Sequence, residues 1–444
     1  MLTRNGYVTS HWTPDTKKQL TVRPLAPSPD YPAQKPFKVF RTSGGDLCVP
    51  RYFGDTVLGQ HAHDVRRNPT VARITSVGSL RVETHQVEAF ESARDSMERD
   101  GGAIISLPCG YGKTRVALEV ASHFKTRTAI LVHKEFLAEQ WKEAIHRFCP
   151  GSTIGRVQGD VCDLEKDFVI IMIQTLSQRP WTKALFDSIG LMIVDECHHI
   201  CARVFSQCMF VMCPKYTLGL SATPERKDGL TQVMNWFLGP VVVAITRKSA
   251  HVKVIPVPFH GPFPNVTINR SGKISLPEMI TDLTRIEERN NLILSTLENI
   301  DTSRHILVLT DRREHVMLLK DMIGEDAGIY FGGMKQSDLD ESARKRIILG
   351  TFSLAQEGLD IPSLDTAVFV TPKSDVIQAA GRVLRKSGGE PLIYDIVDHW
   401  SVFHGMFYKR RKQYNLMEFT TLGPEGDQGH GNNKEEYKVY RFDD

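Results

Sequence analysis

The sequence predicts an α/β protein, with two parallel-sheet domains in tandem behind a short β-rich N-terminal extension. Three observations predict it. From about residue 76, short apolar runs that end in charge alternate with longer amphipathic stretches, the pattern of a parallel sheet with helices on both faces. The alternation stops over 251–277, which is rich in Pro, Gly and His, and then resumes. A chain of 444 residues, 41% hydrophobic and 24% charged, has a globular composition and the length of two to three domains.

In chain order, residues 1–75 hold prolines at 14, 24, 27, 29, 32, 36 and 50, with Phe37–Phe40 and Leu47–Val49 between them. They read as an extended arm leading into a small β element. In 76–250 the strand candidates are Ala103–Leu107, Ala129–Val132, Phe168–Ile173, Leu191–Val194 and Tyr216–Leu220, with helices over Arg115–Lys125 and Glu135–Arg147. The segment 251–277 reads as a linker, opening a second domain to 422. Its strands are Ile306–Thr310, Ala327–Tyr330, Arg346–Leu349, Ala367–Val370 and Leu392–Ile396. The Gly- and charge-rich residues 423–444 form a tail.

No run approaches the ~20 apolar residues of a membrane span, and the start lacks a signal-peptide core. Eight irregularly spaced cysteines make no disulfide scaffold. The expectation is a reduced, intracellular protein without membrane contact, cytoplasmic or nuclear. A net charge of +3 neither demands nor excludes a nucleic-acid partner, since basic residues can be localised.

Leu107-Pro-Cys-Gly110-Tyr111-Gly112-Lys113-Thr114 follows a strand and opens a helix, the context of a phosphate loop. Glycines let the backbone wrap closely, Lys113 reaches the β- and γ-phosphates, and Thr114 ligates Mg²⁺. Leu107 stands where the general pattern has its first glycine. Asp195-Glu196-Cys197-His198 closes an apolar strand, and strand C-termini are where open α/β sheets bind ligands. There Asp195 serves the Mg²⁺ shell and Glu196 orients or deprotonates the attacking water. Gln378, Arg382 and Arg385 are spaced 4 and 3 apart, one face of a helix. By themselves the arginines read as surface residues, and only the family resemblance below implies that they bring positive charge to the γ-phosphate.

On these residues the chain resembles the superfamily 2 helicases of the DExH-box type over about 80–400. The resemblance implies two RecA-like domains, an ATP cleft between them and a nucleic-acid strand across their tops. It implies an adenine-reading role for Gln86, next to Leu80-Arg81, and ATP contacts from Gly110, Tyr111, Gly112, Gly358, Asp360 and Gln378. Val308-Leu-Thr-Asp-Arg312, Glu357–Pro362 and Gln378–Arg385 resemble motifs IV, V and VI. Strand contacts are implied for His133, Lys134, Gln174, Thr175, Arg312 and Thr351, with Gln140-Trp141 in the same motif group. Ser221-Ala222-Thr223, with His198, is implied to couple hydrolysis to movement.

Ala222-Thr-Pro-Glu-Arg226-Lys227-Asp228 and Phe237-Leu-Gly-Pro240 resemble the XPB/UvsW-like group, which includes transcript-release helicases of poxviruses and other large DNA viruses. Lys227 stands where XPB has Glu. The implied activity is an ATP-dependent helicase or translocase using ATP and Mg²⁺, on DNA rather than RNA by this resemblance, with transcription, replication or recombination proteins as partners. The alternative is an ATP-independent nucleic-acid-binding scaffold on a motor fold, which the intact Lys113, Asp195, Glu196, Arg382 and Arg385 oppose.

Cys197-His198-His199-Ile200-Cys201 matches no common zinc spacing and reads as idle thiols beside the acidic motif. Lys409–Lys412, near Phe403, Phe407, Tyr408 and Tyr414, admits two readings: a grip on a phosphate backbone beside stacking rings, or a solvated basic face over a core. The second is the more common use of such a helix.

Overall fold

The computed structural model describes residues 1–25, 35–108, 110–178, 180–181, 184–222, 226, 228–245, 251–264, 266–268, 274–331, 334–353, 361–374, 376, 379–381 and 390–423. The chain divides into two compact units, Met1–Arg247 and Lys248–Asp444.

Six short strands open the first unit: β1 (Leu2–Thr3), β2 (Gly6–Thr9), β3 (Thr21–Val22), β4 (Phe37–Lys38), β5 (Arg41–Ser43) and β6 (Asp46–Val49). They pair as an antiparallel sheet, β1-β2-β6-β5, and a β3–β4 ladder. The arm expected here is a folded cap over these residues. Leu2, Tyr7, Leu20, Phe37, Leu47 and Val49 are buried in one core with Ile104, Met192 and Phe237. Apolar side chains at this density are removed from water against the nearest sheet face, about 25 cal/mol per Å². Arg51 adds donors to the carbonyls of Lys215 and Asp100, each 2.9 Å.

The main sheet of this unit has eight strands: β7 (Gly102–Ser106), β8 (Thr128–Val132), β9 (Ile154–Gln158), β10 (Val161–Cys162), β11 (Phe168–Met172), β12 (Leu191–Val194), β13 (Tyr216–Ser221) and β14 (Val241–Ala244). Their order is β10-β9-β11-β8-β12-β13-β7-β14, parallel except for the β9–β10 pair. Alternate residues enter opposite cores. Ile104 faces the cap and the helices Ile173–Gln178, Arg203–Cys208 and Thr231–Leu238. Ala103 and Ile105 face the helices Gln86–Asp100, Lys113–Phe124 and Glu135–Phe148. The turns after β7, β8, β12 and β13 therefore open at one edge of four neighbouring strands.

The second sheet holds β15 (Lys253–Phe259), β16 (Ile306–Thr310), β17 (Ala327–Tyr330), β18 (Ile347–Thr351), β19 (Thr366–Phe369), β20 (Leu392–Asp398) and β21 (Thr420–Thr421), in the order β17-β18-β16-β19-β20-β15-β21. All its pairs are parallel. The expected linker thus contains a seven-residue strand. Its Pro256 and Pro258 hid it from the sequence, because proline cannot donate to a ladder. The structure resolves this by parity. Lys253 N–H donates toward β20, to Pro391 O at 3.1 Å, so the even residues turn their nitrogens to the other side. There β21 pairs only with Lys253 and Val254, and no donor is needed at 256 or 258.

Two ion pairs fasten helices to β20. Arg289 meets Asp398 at 2.7 and 3.0 Å, and Arg410 meets Asp395 at 2.8 Å through both nitrogens. All four residues are buried. Behind β16, the buried His315 lies 3.0 Å from both Thr310 Oγ1 and Asn290 Oδ1. Asn290 Nδ2 donates to Thr284 O, so Asn290 Oδ1 accepts and His315 Nε2 carries the proton. No helix among the described residues is long and apolar enough to cross a membrane.

Burial, with the charge of Arg289, pushes the His315 pKa from its ordinary 6.5 down to about 3. The stability that its neutral ring contributes is complete above pH 6.5 and is lost as pH falls toward 3, at up to ~1.4 kcal/mol per pH unit. Urea unfolding of the parent and of His315→Gln between pH 7.5 and 4 checks this. The stability gap between the two is expected to narrow on acidification.

Candidate active site

The turn after β7 is built by backbone demands. Gly110 and Gly112 have φ of +85° and +80°, the left-handed region that costs an L-residue ~1–2 kcal/mol. A Cβ on Gly112 would also lie 2.5 Å from Gln86 Nε2. Leu107 needs no such freedom. Its side chain is fully buried in the core and its N–H donates to Ser221 O at 3.2 Å, which explains leucine at that position. Lys113 opens the helix Lys113–Phe124 and donates its Nζ to Leu107 O at 3.0 Å. Thr114 follows, half-buried. Loop amides at a helix N-terminus with a lysine beside them make a cradle for a polyphosphate.

Gln86 is buried behind this loop. Its Nε2 donates to Tyr111 O at 2.9 Å, and its Oε1 accepts from Arg81 N–H at 3.0 Å. Both ends of the amide hold backbone, so in this structure Gln86 sets the path of the loop.

Asp195 leaves β12 with its N–H donating to Leu131 O at 3.1 Å. Trp141 Nε1 donates to Asp195 Oδ2 at 2.9 Å, and Glu196 N–H to Oδ1 at 3.0 Å. Protein packs closely around the carboxylate. That desolvation, with the Glu196 charge, pushes the Asp195 pKa from 3.8 up to about 6, against the opposing pull of Trp141 and Lys113. Trp141 is buried. Sequence reasoning grouped it with strand-contacting residues, whereas it braces the acidic motif. A buried indole must find an acceptor, which was the available signal.

Glu196 has φ +47° and ψ +53°, a strained backbone for a non-glycine residue. Its Oε2 is buried and accepts no hydrogen bond. His198 Nδ1 lies 3.4 Å from both that oxygen and Ser221 Oγ. Arg226, paired with Asp228, donates to His198 O at 2.5 Å and so clamps the turn. Burial, with Arg226 and other cations nearby, lowers the His198 pKa to about 4. Ala222 follows Ser221 at the surface of the same turn, half-buried.

A second histidine extends this contact. His199 packs at a tilt against His198, at 4.3 Å and 36°, and against His133, at 4.0 Å and 41° between rings. Burial pushes His133 and His199 to about 3, so the three rings are neutral. His133 is buried, and neither ring nitrogen has a hydrogen-bond partner. Gln174 donates to His133 O at 2.6 Å, and the buried Thr175 accepts from Gly159 N–H at 3.3 Å. Of the strand-contact candidates in this unit, Lys134 and Gln174 are half-buried, while the side chains of His133 and Thr175 are enclosed.

In the second unit, Arg312 follows β16 and bonds to Thr281 Oγ1 and Pro277 O at 2.9 and 2.6 Å. Thr351 ends the neighbouring β18, 3.1 Å from Ser353 Oγ. Thr223, Gly358, Asp360, Gln378, Arg382 and Arg385 lie outside the described residues. Cys197 and Cys201 are buried thiols with raised pKa values, the character of inert cysteines.

Residues 79–226 match the family described as "Type III restriction enzyme, res subunit". Over 440 residues the chain is 32% identical to a protein of Acanthamoeba polyphaga mimivirus named "Putative ATP-dependent RNA helicase L396", covering 93% of this chain and 84% of that one. The chain belongs to the superfamily 2 helicases. A further relative of this helicase is "Putative helicase 161L" of Invertebrate iridescent virus 6, 27% identical over 76% of this chain and 81% of that one. Among solved structures, S. cerevisiae Dbp5 bound to RNA and ADP BeF3 shares the fold, with a TM-score of 0.54 and 14% identity over 77% of this chain and 92% of that one. The helicase is an ATP-dependent enzyme of this superfamily.

Gly112→Ala is expected to raise the Kd for ATP at least tenfold, through backbone strain and the clash with Gln86. Adding Gln86→Ala relieves the clash, so the double variant is expected to be less impaired than the two single losses combined. Titration with a fluorescent ATP analogue checks both.

Proposed function

We propose that the helicase hydrolyses ATP on the 107–114 loop and uses the cycle to step along a strand of nucleic acid. The observation that carries this reading is Glu196. A strained backbone holds its carboxylate beside Asp195, with one buried oxygen that accepts no hydrogen bond and faces His198 Nδ1 at 3.4 Å. That is a base kept ready for a water proton.

Lys113, now held on Leu107 O, turns to the β- and γ-phosphates when they displace that carbonyl. Thr114 and Asp195 offer hard oxygen donors and would hold Mg²⁺. Among the described residues no group of three or more His, Cys, Asp or Glu side chains can hold a metal. Two protein oxygens suit an ion completed by phosphates and water, and when bound that ion neutralises charge on the phosphoryl oxygens. Glu196 takes the proton of the attacking water. From sequence, Gln378, Arg382 and Arg385 add positive charge at the transferring group, with Gly358 and Asp360 as further ATP contacts.

Coupling starts at the same carboxylate. A change in the Glu196 side chain is felt at His198 and Ser221; from sequence, Ala222 and Thr223 share the coupling role. The change is also felt through the packed rings of His199 and His133 at the turn that carries Lys134 and is held by Gln174. His133 and Thr175 then act by positioning that turn, and Lys134, Gln174, Arg312 and Thr351 meet the phosphate backbone. Stepping requires sequence-independent backbone contacts, so binding is salt-sensitive. DNA is the proposed substrate, supported by the XPB/UvsW-like residues Ala222–Asp228 and Phe237–Pro240. RNA is the second reading, which the printed name of the mimivirus relative favours.

ATPase rates on single-stranded, duplex, forked and hybrid nucleic acids decide between these readings, and absence of any stimulation would favour the scaffold alternative. Glu196→Gln is expected to keep ATP binding and cut stimulated turnover ~10²-fold or more. Lys113→Ala is expected to weaken binding as well, because it removes a ground-state contact. Arg385→Ala is expected to lower turnover ~10²–10³-fold with a far smaller effect on ATP affinity. Near-normal turnover by Glu196→Gln would remove the base from this position.

A further inference from the structure

We propose that the C-terminal strand edge of the second unit carries a base-stacking site for single-stranded nucleic acid, formed by His260, His399, His404 and Tyr408 with Arg411 and Lys412 beside them. The inference rests on the reading that this helicase binds nucleic acid, and it adds a site to that reading.

The parallel register creates the juxtaposition. β15 and β20 end in register, Phe259 opposite Asp398, so the next residues, His260 and His399, emerge side by side. Their rings stack at 4.1 Å and 25°. His399 stacks on His404 at 5.1 Å and 30°, and His404 lies 4.8 Å from the Tyr408 ring. This row is at the surface: His260 and His399 are exposed, and Tyr408 is 43% exposed.

The helix Ser401–Leu416 divides its faces cleanly. Phe403, Phe407, Arg410 and Tyr414, at helical spacing, are buried. His404, Tyr408, Arg411 and Lys412 repeat at the same spacing on another face, and the last three are exposed. The basic run singled out in the sequence is therefore split. Arg410 is a structural ion-pair partner of Asp395, while Lys409, Arg411 and Lys412 face water.

Charge and ring geometry select the occupant. The helix contains no acidic residue. The carboxylates beneath it, Asp395 and Asp398, are buried against Arg410 and Arg289. The surface is thus aromatic at one end and cationic at the other. A metal ion is a poor occupant, because imidazole lone pairs lie in the ring planes and stacked rings do not converge them. An aliphatic partner finds flat polar rings and cations instead of a greasy groove. A nucleic-acid strand uses both halves, with bases on the rings and phosphates on Arg411 and Lys412. From 404 to 412 the helix rises about 12 Å, the length of about three stacked bases at 3.4 Å.

The helix that carries His404 and Tyr408 shares a packing partner with Arg312. That residue is bonded to the helix Leu276–Leu283 at Pro277 O and Thr281 Oγ1. Met279, Ile280 and Leu283 of the same helix pack on Phe403. Arg312 and the helix that carries His404 and Tyr408 therefore both pack on one short helix.

The test uses the full chain and fluorescence anisotropy with two labelled probes of equal length, a single-stranded oligonucleotide and its abasic counterpart. Tyr408→Ala and His399→Ala are each expected to weaken the base-bearing probe about 5- to 50-fold and to leave the abasic probe as the parent binds it. Tyr408→Phe is expected to behave as the parent. Replacing Arg411 and Lys412 together by Gln is expected to reduce the slope of log affinity against log salt by about 1.4, from ~0.7 per lost phosphate contact. If the parent binds the oligonucleotide and both alanine variants bind it equally well, the stacking site is wrong while the nucleic-acid reading stands. Equal losses on both probes would also overturn stacking. If the parent binds neither probe and its ATPase is not stimulated, the nucleic-acid reading fails and the site fails with it.

Discussion

Crowding the Asp195 carboxylate with protein is the constraint around which the first unit is arranged. An enclosed anion is costly unless its surroundings answer it, and here each answer comes from a different part of the chain. Trp141 reaches it from the helix after β8, Lys113 from the turn after β7, and the N–H of Glu196 from the next residue. Even so, burial and the Glu196 charge keep its pKa raised to about 6, because the protein groups around it offset only part of the desolvation.

The rest of the site follows from how the chain leaves β12. Using the Glu196 N–H to serve Asp195 turns the backbone into the left-handed region and swings the Glu196 carboxylate toward His198. The following 3₁₀ turn brings His199 back over His133. Arg226 closes it by holding His198 O. One local backbone choice thus joins the phosphate loop, the acidic pair, Ser221 and the turn after β8. The three imidazoles pack there as neutral rings, which buries no charge.

The second unit solves a related problem at its own strand edge. Asp395, in the middle of β20, and Asp398, at its end, are carboxylates in a dry environment, and Arg410 and Arg289 neutralise them at close range. Losing one partner of such a pair leaves a buried charge and typically costs ~3–5 kcal/mol. The same arrangement pairs these acidic groups away from the surface, where His260, His399, Tyr408, Lys409, Arg411 and Lys412 are exposed. His315 behind β16 belongs to the same supporting layer, setting the hydroxyl of Thr310 that receives the Arg312 N–H at 3.3 Å.

Period and spacing in the sequence determined the parallel strands, the glycine turn, the Asp195-Glu196 strand end and the superfamily, because these are local: apolar alternation, backbone freedom at Gly110 and Gly112, and short motifs in fixed order. Tertiary structure alone decided which side chains meet. Trp141 is 54 residues from Asp195 in the chain, and the pairing exists only because β8 and β12 are neighbours. His133 and His199 touch for the same reason. Lys253–Phe259 reads as a linker until the sheet order shows that its prolines turn their nitrogens where no donor is needed. Arg410 and Arg411 are equivalent in sequence, but a 100° step around the helix buries one against Asp395 and exposes the other. Contacts between distant elements depend on strand order and helix rotation, and a sequence read one segment at a time contains neither.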